Sequence, residues 1–210
     1  MASGDLALGK IFQGLLQQRN RSNVLLSAEA PFDLQHQHYA LSYFRIFAGH
    51  IPAERYADPF YPIMIAVTGF DDREMINRAL LYRYIISYEP YNFKGNLNDF
   101  PLTIDYGKKV DALRYRYSDY LWRGEFCDSV GAKVDIGPDV PISYSVFLHS
   151  QRHLRAVVLV NDDQSAAHEV SVELPNAGSF SCASPEFPEL QPCGTIVSIP
   201  ARSALVLLER

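Results

Sequence analysis

Apolar and polar positions recur along this chain with two different periods, and the change from one to the other comes past its middle. From Leu6 to Gln18 the residues Leu8, Ile11, Phe12, Leu15 and Leu16 fall at helical spacing with polar residues between them, which predicts an amphipathic helix. The short link NRSN leads into VLLSAEA, an apolar run whose length suits a buried parallel strand. After Pro31 a second helical phase runs from Leu34 to Phe47, closed by Gly49 and Pro52. The aromatic loop RYADPFYP then delivers the strand IMIAVTGF. Asp71 and Glu74 match a capping box, and Ile76, Ala79, Leu80, Arg83 and Ile86 set the phase of the helix that follows. IISYEPY reads as strand or extended chain from Ser87, because Pro90 disfavours a helical Glu89. Thr103 is expected to cap a helix that reaches Trp122 with the stripe Tyr106, Val110, Leu113, Tyr117 and Leu121, and Gly124 to end it.

Beyond Cys127 the helical period stops. AKVDI, SYSVFLH, LRAVVLV, HEVSVEL, GSFSCAS, TIVSI and SALVLLE follow one another, separated by segments rich in Pro, Gly, Asn and Asp. Strands alternating with helices predict an α/β unit over residues 1–127. The run of short strands predicts a small antiparallel β-sandwich over residues 128–210.

Composition narrows the chemistry. The chain has 210 residues, 48% hydrophobic and 20% charged, with a formal charge of -5, so no basic face invites nucleic acid. No run is long enough to span a bilayer, and the opening MASGDLALGKIFQGLLQQRNR lacks a basic leader and an unbroken apolar core. A cytoplasmic location is therefore expected. Cys127, Cys182 and Cys193 are odd in number and form no CxxC pair, which argues for reduced thiols over a disulfide framework or a zinc site. A Cys182–Cys193 bridge is the alternative in an exported protein. A Gly-rich phosphate loop, a GxSxG elbow and an HExxH pair are all missing, which leaves carboxylate chemistry or binding without catalysis. No organic cofactor is required.

Acidic residues stand at the ends of the strand-like runs of the first part: Glu29 after VLLSA, Asp71 and Asp72 after IMIAVTGF, and Glu89 after IISY. Residues at the carboxyl ends of parallel strands face the active site of a β/α barrel, so Glu29, Asp71 and Glu89 are candidate catalytic carboxylates. Asp33, His36, Asp72, Tyr88 and Tyr91 are candidates to bind substrate, the tyrosines by offering an aromatic face beside a carboxylate. An aspartate before a helix also serves as a cap, and tyrosines also pack cores, so each residue has a structural alternative. His36 and His38 form an HxH pair, but residues two apart on a helix diverge by about 200°, which does not suit a shared metal ion. No metal is expected.

The runs VLLSAEAPFDLQHQHYALSYFR, PIMIAVTGFDDREMINRALLYRYIISYEPYNFKGNLNDFPLTIDYGKKVDALRYRYSDYLWRGEF and IPARSALVLLE together resemble the carboxyl-terminal part of a little-characterised family of glycoside-hydrolase-like proteins. In these a β/α (TIM-like) barrel is followed by a small β-sandwich. The resemblance implies carbohydrate as partner and acid/base hydrolysis as activity; the alternative is a non-catalytic carbohydrate-binding or assembly protein. A full barrel takes about 200 to 250 residues, whereas residues 1–127 suffice for three or four β/α units. The first half of the barrel is thus expected to lie outside this chain, as in a fragment or a split subunit. Homodimerisation or a second chain would complete it.

Overall fold

The computed structural model describes residues 2–21, 23–29, 37–44, 51–91, 94–176 and 179–210. The amphipathic phase of the amino terminus forms α1 (Ala2–Gln18), and the first apolar run contributes the short strand β1 (Ser27–Glu29). The chain continues through β2 (Leu41–Phe44), the single turn α2 (Glu54–Ala57), β3 (Ile63–Val67), α3 (Arg73–Tyr82) and β4 (Ile85–Tyr88). The four strands form one parallel sheet in the order β1-β2-β3-β4.

This corrects the helix expected from Leu34 to Phe47, because Leu41–Phe44 is a strand; Leu34 to His36 and Arg45 to Phe47 lie outside the described residues. The run LSYF is rich in aromatic residues that suit a pleated surface, and pairing on both sides, with β1 and β3, overrides the weak helical phase. The expected capping box is also replaced. α3 begins after Asp72, whose carboxylate makes no cap bond to the helix. Arg83, expected within the helix, is its left-handed terminator at φ 56°, and Ile86 lies in β4.

The next helix starts at Pro101, two residues before the expected cap Thr103, and breaks at Tyr117 into α4 (Pro101–Arg116) and α5 (Ser118–Leu121). Proline suits the first helical position because it lacks only an amide hydrogen that would have no partner there. Gly124 does not end the helix; a β-carbon there would strike the carbonyls of Tyr120 and Leu148, so glycine is needed for close backbone approach.

Among the described residues, nine strands follow in two antiparallel sheets. All seven expected runs contribute, together with β5 (Glu125–Phe126) and β11 (Gln191–Cys193), which sequence reading missed. One sheet has the order β11-β10-β13-β8-β7-β5, using β7 (Ile142–Leu148), β8 (Arg155–Asn161), β10 (Phe180–Ala183) and β13 (Ala204–Glu209). The other is β12-β9-β6, from β12 (Ile196–Ile199), β9 (His168–Glu173) and β6 (Lys133–Asp135).

Alternation explains the layering. Along β8, Ala156, Val158 and Val160 face a core shared with α3, α4 and the parallel sheet, while Val157 and Leu159 face the second antiparallel sheet. β13 does the same with Val206 and Leu208 against Leu205 and Leu207. Both strands are apolar on two faces because both are sandwiched. All three cysteines are free; Cys182 and Cys193 lie on the paired strands β10 and β11, and burial together with its neighbour pushes the Cys193 thiol up to about 12.

Arg155 and Glu209 lock β8 to β13. Arg155 donates from its Nε and its backbone N–H to Glu209 Oε2, both at 2.9 Å, and from Nη2 to Oε1 at 3.0 Å. These bonds hold the Glu209 carboxyl below its ordinary value of 4.5. The ionised form therefore stabilises the fold at neutral pH, and that contribution disappears as pH falls through the lowered value. Urea melts at pH 7 and pH 3 should show that Glu209→Gln costs about 2 kcal/mol at pH 7 and flattens the acid limb. An unchanged pH dependence in the variant would remove this pair from the account.

Candidate active site

Register decides which side chains meet. Glu29 lies opposite Tyr43, Tyr43 opposite Met64, and Met64 opposite Ile85, so these four share one face of the parallel sheet. Ala66 and Ser87 extend the same face upward. The other face, carrying Ile63, Ile65 and Val67, is buried against the helices. Met64, Ala66, Ile85 and Ser87 are only half-buried among the described residues, so the face opposite the helices is the open one.

Glu89 follows β4 directly, and its N–H continues the ladder by donating to Val67 O at 2.9 Å. Alternation then puts its side chain on the open face with Ser87. The carboxylate is buried, 3% exposed, and Tyr43 donates its hydroxyl to Oε2 at 2.8 Å. Burying a carboxylate is costly unless it is hydrogen-bonded, and Tyr43 supplies such a bond while fixing the orientation of the group. Glu29 is exposed on the same face, directly opposite Tyr43, so this tyrosine stands between two of the three candidate carboxylates.

Asp71 lies elsewhere. Arg202 donates from Nη1 to its Oδ2 at 2.7 Å and from Nη2 to its carbonyl at 2.8 Å, while Arg73 Nε stands 3.6 Å from Oδ1. This carboxylate clasps the β12–β13 turn to the start of α3. A cavity of about 120 Å³ beside it is lined by Asp71, Asp72, Glu74, Asn77, Asp162 and Arg202, and includes neither Glu29, Tyr43 nor Glu89. Burial there raises the Asp162 carboxyl, offset in part by Arg78. Among the described residues no group of three or more His, Cys, Asp or Glu side chains is arranged to hold a metal ion.

The remaining candidates divide as sharply. Asp33 and His36 lie outside the described residues. Asp72 binds its own turn, its Oδ2 accepting the N–H groups of Thr68 and Gly69, each at 3.0 Å. Tyr88 points to the helix-covered face, where its hydroxyl lies against Gly107 of α4, and burial pushes it up to about 12. It is a packing residue there, for which the alternation of β4 is the reason. Gly107→Ala would place a methyl on that hydroxyl and should cost about 1–3 kcal/mol, with Tyr88→Phe in the same chain recovering part of it. Thermal melts of the single and double variants check this; equal losses in both would show that the contact is not the cause.

Tyr91 is exposed beside Glu89 and belongs to an aromatic group with Phe70 and Phe100. Sequence reading missed Phe70, Tyr43 and the anchoring role of Thr103. Phe70 was open to detection as an aromatic next to the acidic end of a strand, whereas Tyr43 was hidden by the helical phase assigned to its segment.

No family model matches the sequence, and no curated protein does. Solved structures do match. A noncanonic maltogenic α-amylase from Thermotoga neapolitana superposes with a TM-score of 0.59 at 12% identity, over 97% of this chain and 58% of that one. A GH27 β-L-arabinopyranosidase from Geobacillus stearothermophilus, solved with arabinose, gives 0.51 at 12% identity over 89% and 50%. The fold is thus mixed α/β of the glycoside-hydrolase-like kind. The chain spans between half and three-fifths of the length of these two structures.

Proposed function

We propose that this chain acts on carbohydrate by carboxylate chemistry, with Glu89 as the central acid, Glu29 as the second carboxylate and Tyr43 as the positioning residue. The observation that carries the reading is the buried, tyrosine-bonded carboxylate at the carboxyl end of a parallel strand, on the open face of the sheet. Ligands of open parallel sheets bind outside the carboxyl ends of the strands. In glycoside hydrolysis one carboxyl group protonates the leaving oxygen while the other attacks the anomeric carbon or activates water. The likeness to carbohydrate-active structures supports the fold part of this reading.

In the same proposal residues 1–127 are the carboxyl-terminal part of a TIM-like barrel and residues 128–210 a β-sandwich, with β5 reaching across to join the latter's larger sheet. A second copy or another chain completes the barrel. Two features support a partner: among the described residues β1 and β4 are the edge strands of the parallel sheet, and α1 shows Leu8, Ile11, Phe12 and Leu15 exposed by 44% to 56%. Exposed edges and contiguous apolar faces are where chains associate.

The test is a turnover screen with nitrophenyl glycosides of hexoses, pentoses and deoxyhexoses, with solution mass measured on the same samples. Hydrolysis that depends on Glu89 supports the enzyme reading. Sugar binding without turnover supports the second reading, a non-catalytic carbohydrate-binding protein, which the commitment of Asp71 to Arg202 favours because it leaves one fewer carboxylate for chemistry. Neither turnover nor binding would overturn both.

A further inference from the structure

Phe70 is a large apolar ring held in the open on a turn that hydrogen bonds fix from both sides. Before it, the N–H groups of Thr68 and Gly69 donate to Asp72 Oδ2. After it, the N–H of Asp72 donates to Thr103 Oγ1 at 2.9 Å, and that hydroxyl donates to Gly69 O at 2.7 Å. Thr103 is itself buried in α4, so the turn is pinned to a helix rather than left to find its own conformation.

The ring is backed as well as anchored. Phe100, 1% exposed, stacks on Phe70 with centroids 4.6 Å apart and planes 17° from parallel. Tyr91 meets Phe70 edge-on at 4.7 Å and Phe100 at 5.1 Å. Phe70 nevertheless remains 52% exposed and Tyr91 51%. Exposing an apolar ring to water is unfavourable, and here the ring sits on a turn whose backbone is hydrogen-bonded on both sides. Tyr91 contributes to the same rigidity, since its φ of 50° is unusual for a residue other than glycine and its N–H donates to Thr68 O, tying the two loops together.

Position gives the exposed ring a use. Phe70 follows β3 and Tyr91 follows Glu89 by two residues, so both rings stand at the end of the sheet where the buried carboxylate lies. We infer that Phe70, backed by Phe100 and flanked by Tyr91, is a stacking platform for the apolar face of a sugar ring. The platform would bind a saccharide unit beside the one at Glu89. Sugar rings present axial C–H groups on one face and hydroxyls around the rim. A rigid aromatic face matches the first, and the neighbouring Tyr91 ring carries a hydroxyl, a group of the kind that bonds the second. Because platform and turn are already ordered, little conformational entropy is lost on binding. The inference rests on the carbohydrate reading and adds to it the residues that hold the neighbouring unit.

The experiment separates binding from hydrolysis. The full chain is applied to an array of α- and β-linked hexose, pentose and deoxyhexose oligosaccharides, and the best binder is titrated by calorimetry into the protein and three variants. Phe70→Ala is expected to weaken binding at least tenfold with its melting temperature preserved, Phe70→Trp to retain or improve it, and Tyr115→Ala, which removes an exposed aromatic at the far end of α4 from Thr103, to keep the parent's affinity. In Phe70→Trp the introduced indole should also change its emission on titration. Equal affinity of Phe70→Ala and the parent would overturn the platform while leaving the carbohydrate reading in place. Failure of the parent protein to bind any oligosaccharide on the array would overturn that reading and the platform with it.

Discussion

A Glu89→Gln exchange is expected to lower turnover of any glycoside this protein hydrolyses by about 10² to 10⁴-fold while leaving the fold intact. The amide is nearly isosteric, and its carbonyl oxygen still accepts the Tyr43 hydroxyl, so the buried position stays satisfied. What is lost is the ability to take or hold a proton or to attack carbon. Tyr43→Phe should be milder in kcat and visible in the pH profile, because it removes the group that orients the carboxylate without removing the carboxylate. Steady-state kinetics of both variants across pH provide the measurement. Undiminished turnover in Glu89→Gln would sink its assignment and shift attention to Glu29.

The largest stability effect is expected at Arg114. This side chain is wholly buried, donates from Nη2 to Ala79 O at 2.8 Å and to Tyr84 O at 2.6 Å, and lies 3.9 Å over the Trp122 ring. Burial pushes its guanidinium down to about 10, which keeps it charged at neutral pH. It ties the end of α3 to the entry of β4, adding a charged donor to an Ala79 carbonyl that also accepts the N–H groups of Arg83 and Tyr84. Arg114→Ala removes two charge-assisted hydrogen bonds and leaves a cavity where one of the largest buried side chains of the core now sits, a combined cost of about 3–5 kcal/mol. Arg114→Lys should recover only part, since a point charge cannot reproduce the planar fork. Chemical denaturation of the two variants checks the order; a loss under about 1 kcal/mol in Arg114→Ala would mean that neither the two bonds nor the filled volume holds this junction.

How far the sequence could be read depended on whether local or distant pairing decides each segment. β3 and α3 were legible because IMIAV is apolar at every position and Ile76, Ala79 and Leu80 keep helical phase into the same core. β8 and β13 were legible for a related reason, being apolar on both faces. β2 was not, because its strand state comes from parallel neighbours on either side, and its own spacing suits a helix equally well. β5 and β11 were too short to show a period. The candidate site was half legible. Position at a strand end pointed to Glu89, but the same rule pointed to Asp71, and only the register and the partners separate a carboxylate bonded by Tyr43 from one clasped by Arg202. Tyr88 and Tyr91 differ in the same way: Tyr88 ends β4 and faces the helices, whereas Tyr91, three residues on and past the strand, stands exposed at the rim.

The core described above joins Ile63, Ile65, Ile76 and Leu113 to Phe147, Val158, Val160, Val206 and Leu208, residues from both periodic regimes of the chain. Two parts that each own a complete interior can melt separately; parts that share one cannot. Cutting the chain between β5 and β6 would strip β7 of its partner at Glu125 and Phe126 and bare one apolar face of β8 and β13 to water. The change of pattern past the middle of the sequence is therefore a boundary of architecture and not of cooperativity, and the antiparallel sheets serve as the mechanical footing on which the carboxylate end of the parallel sheet is held.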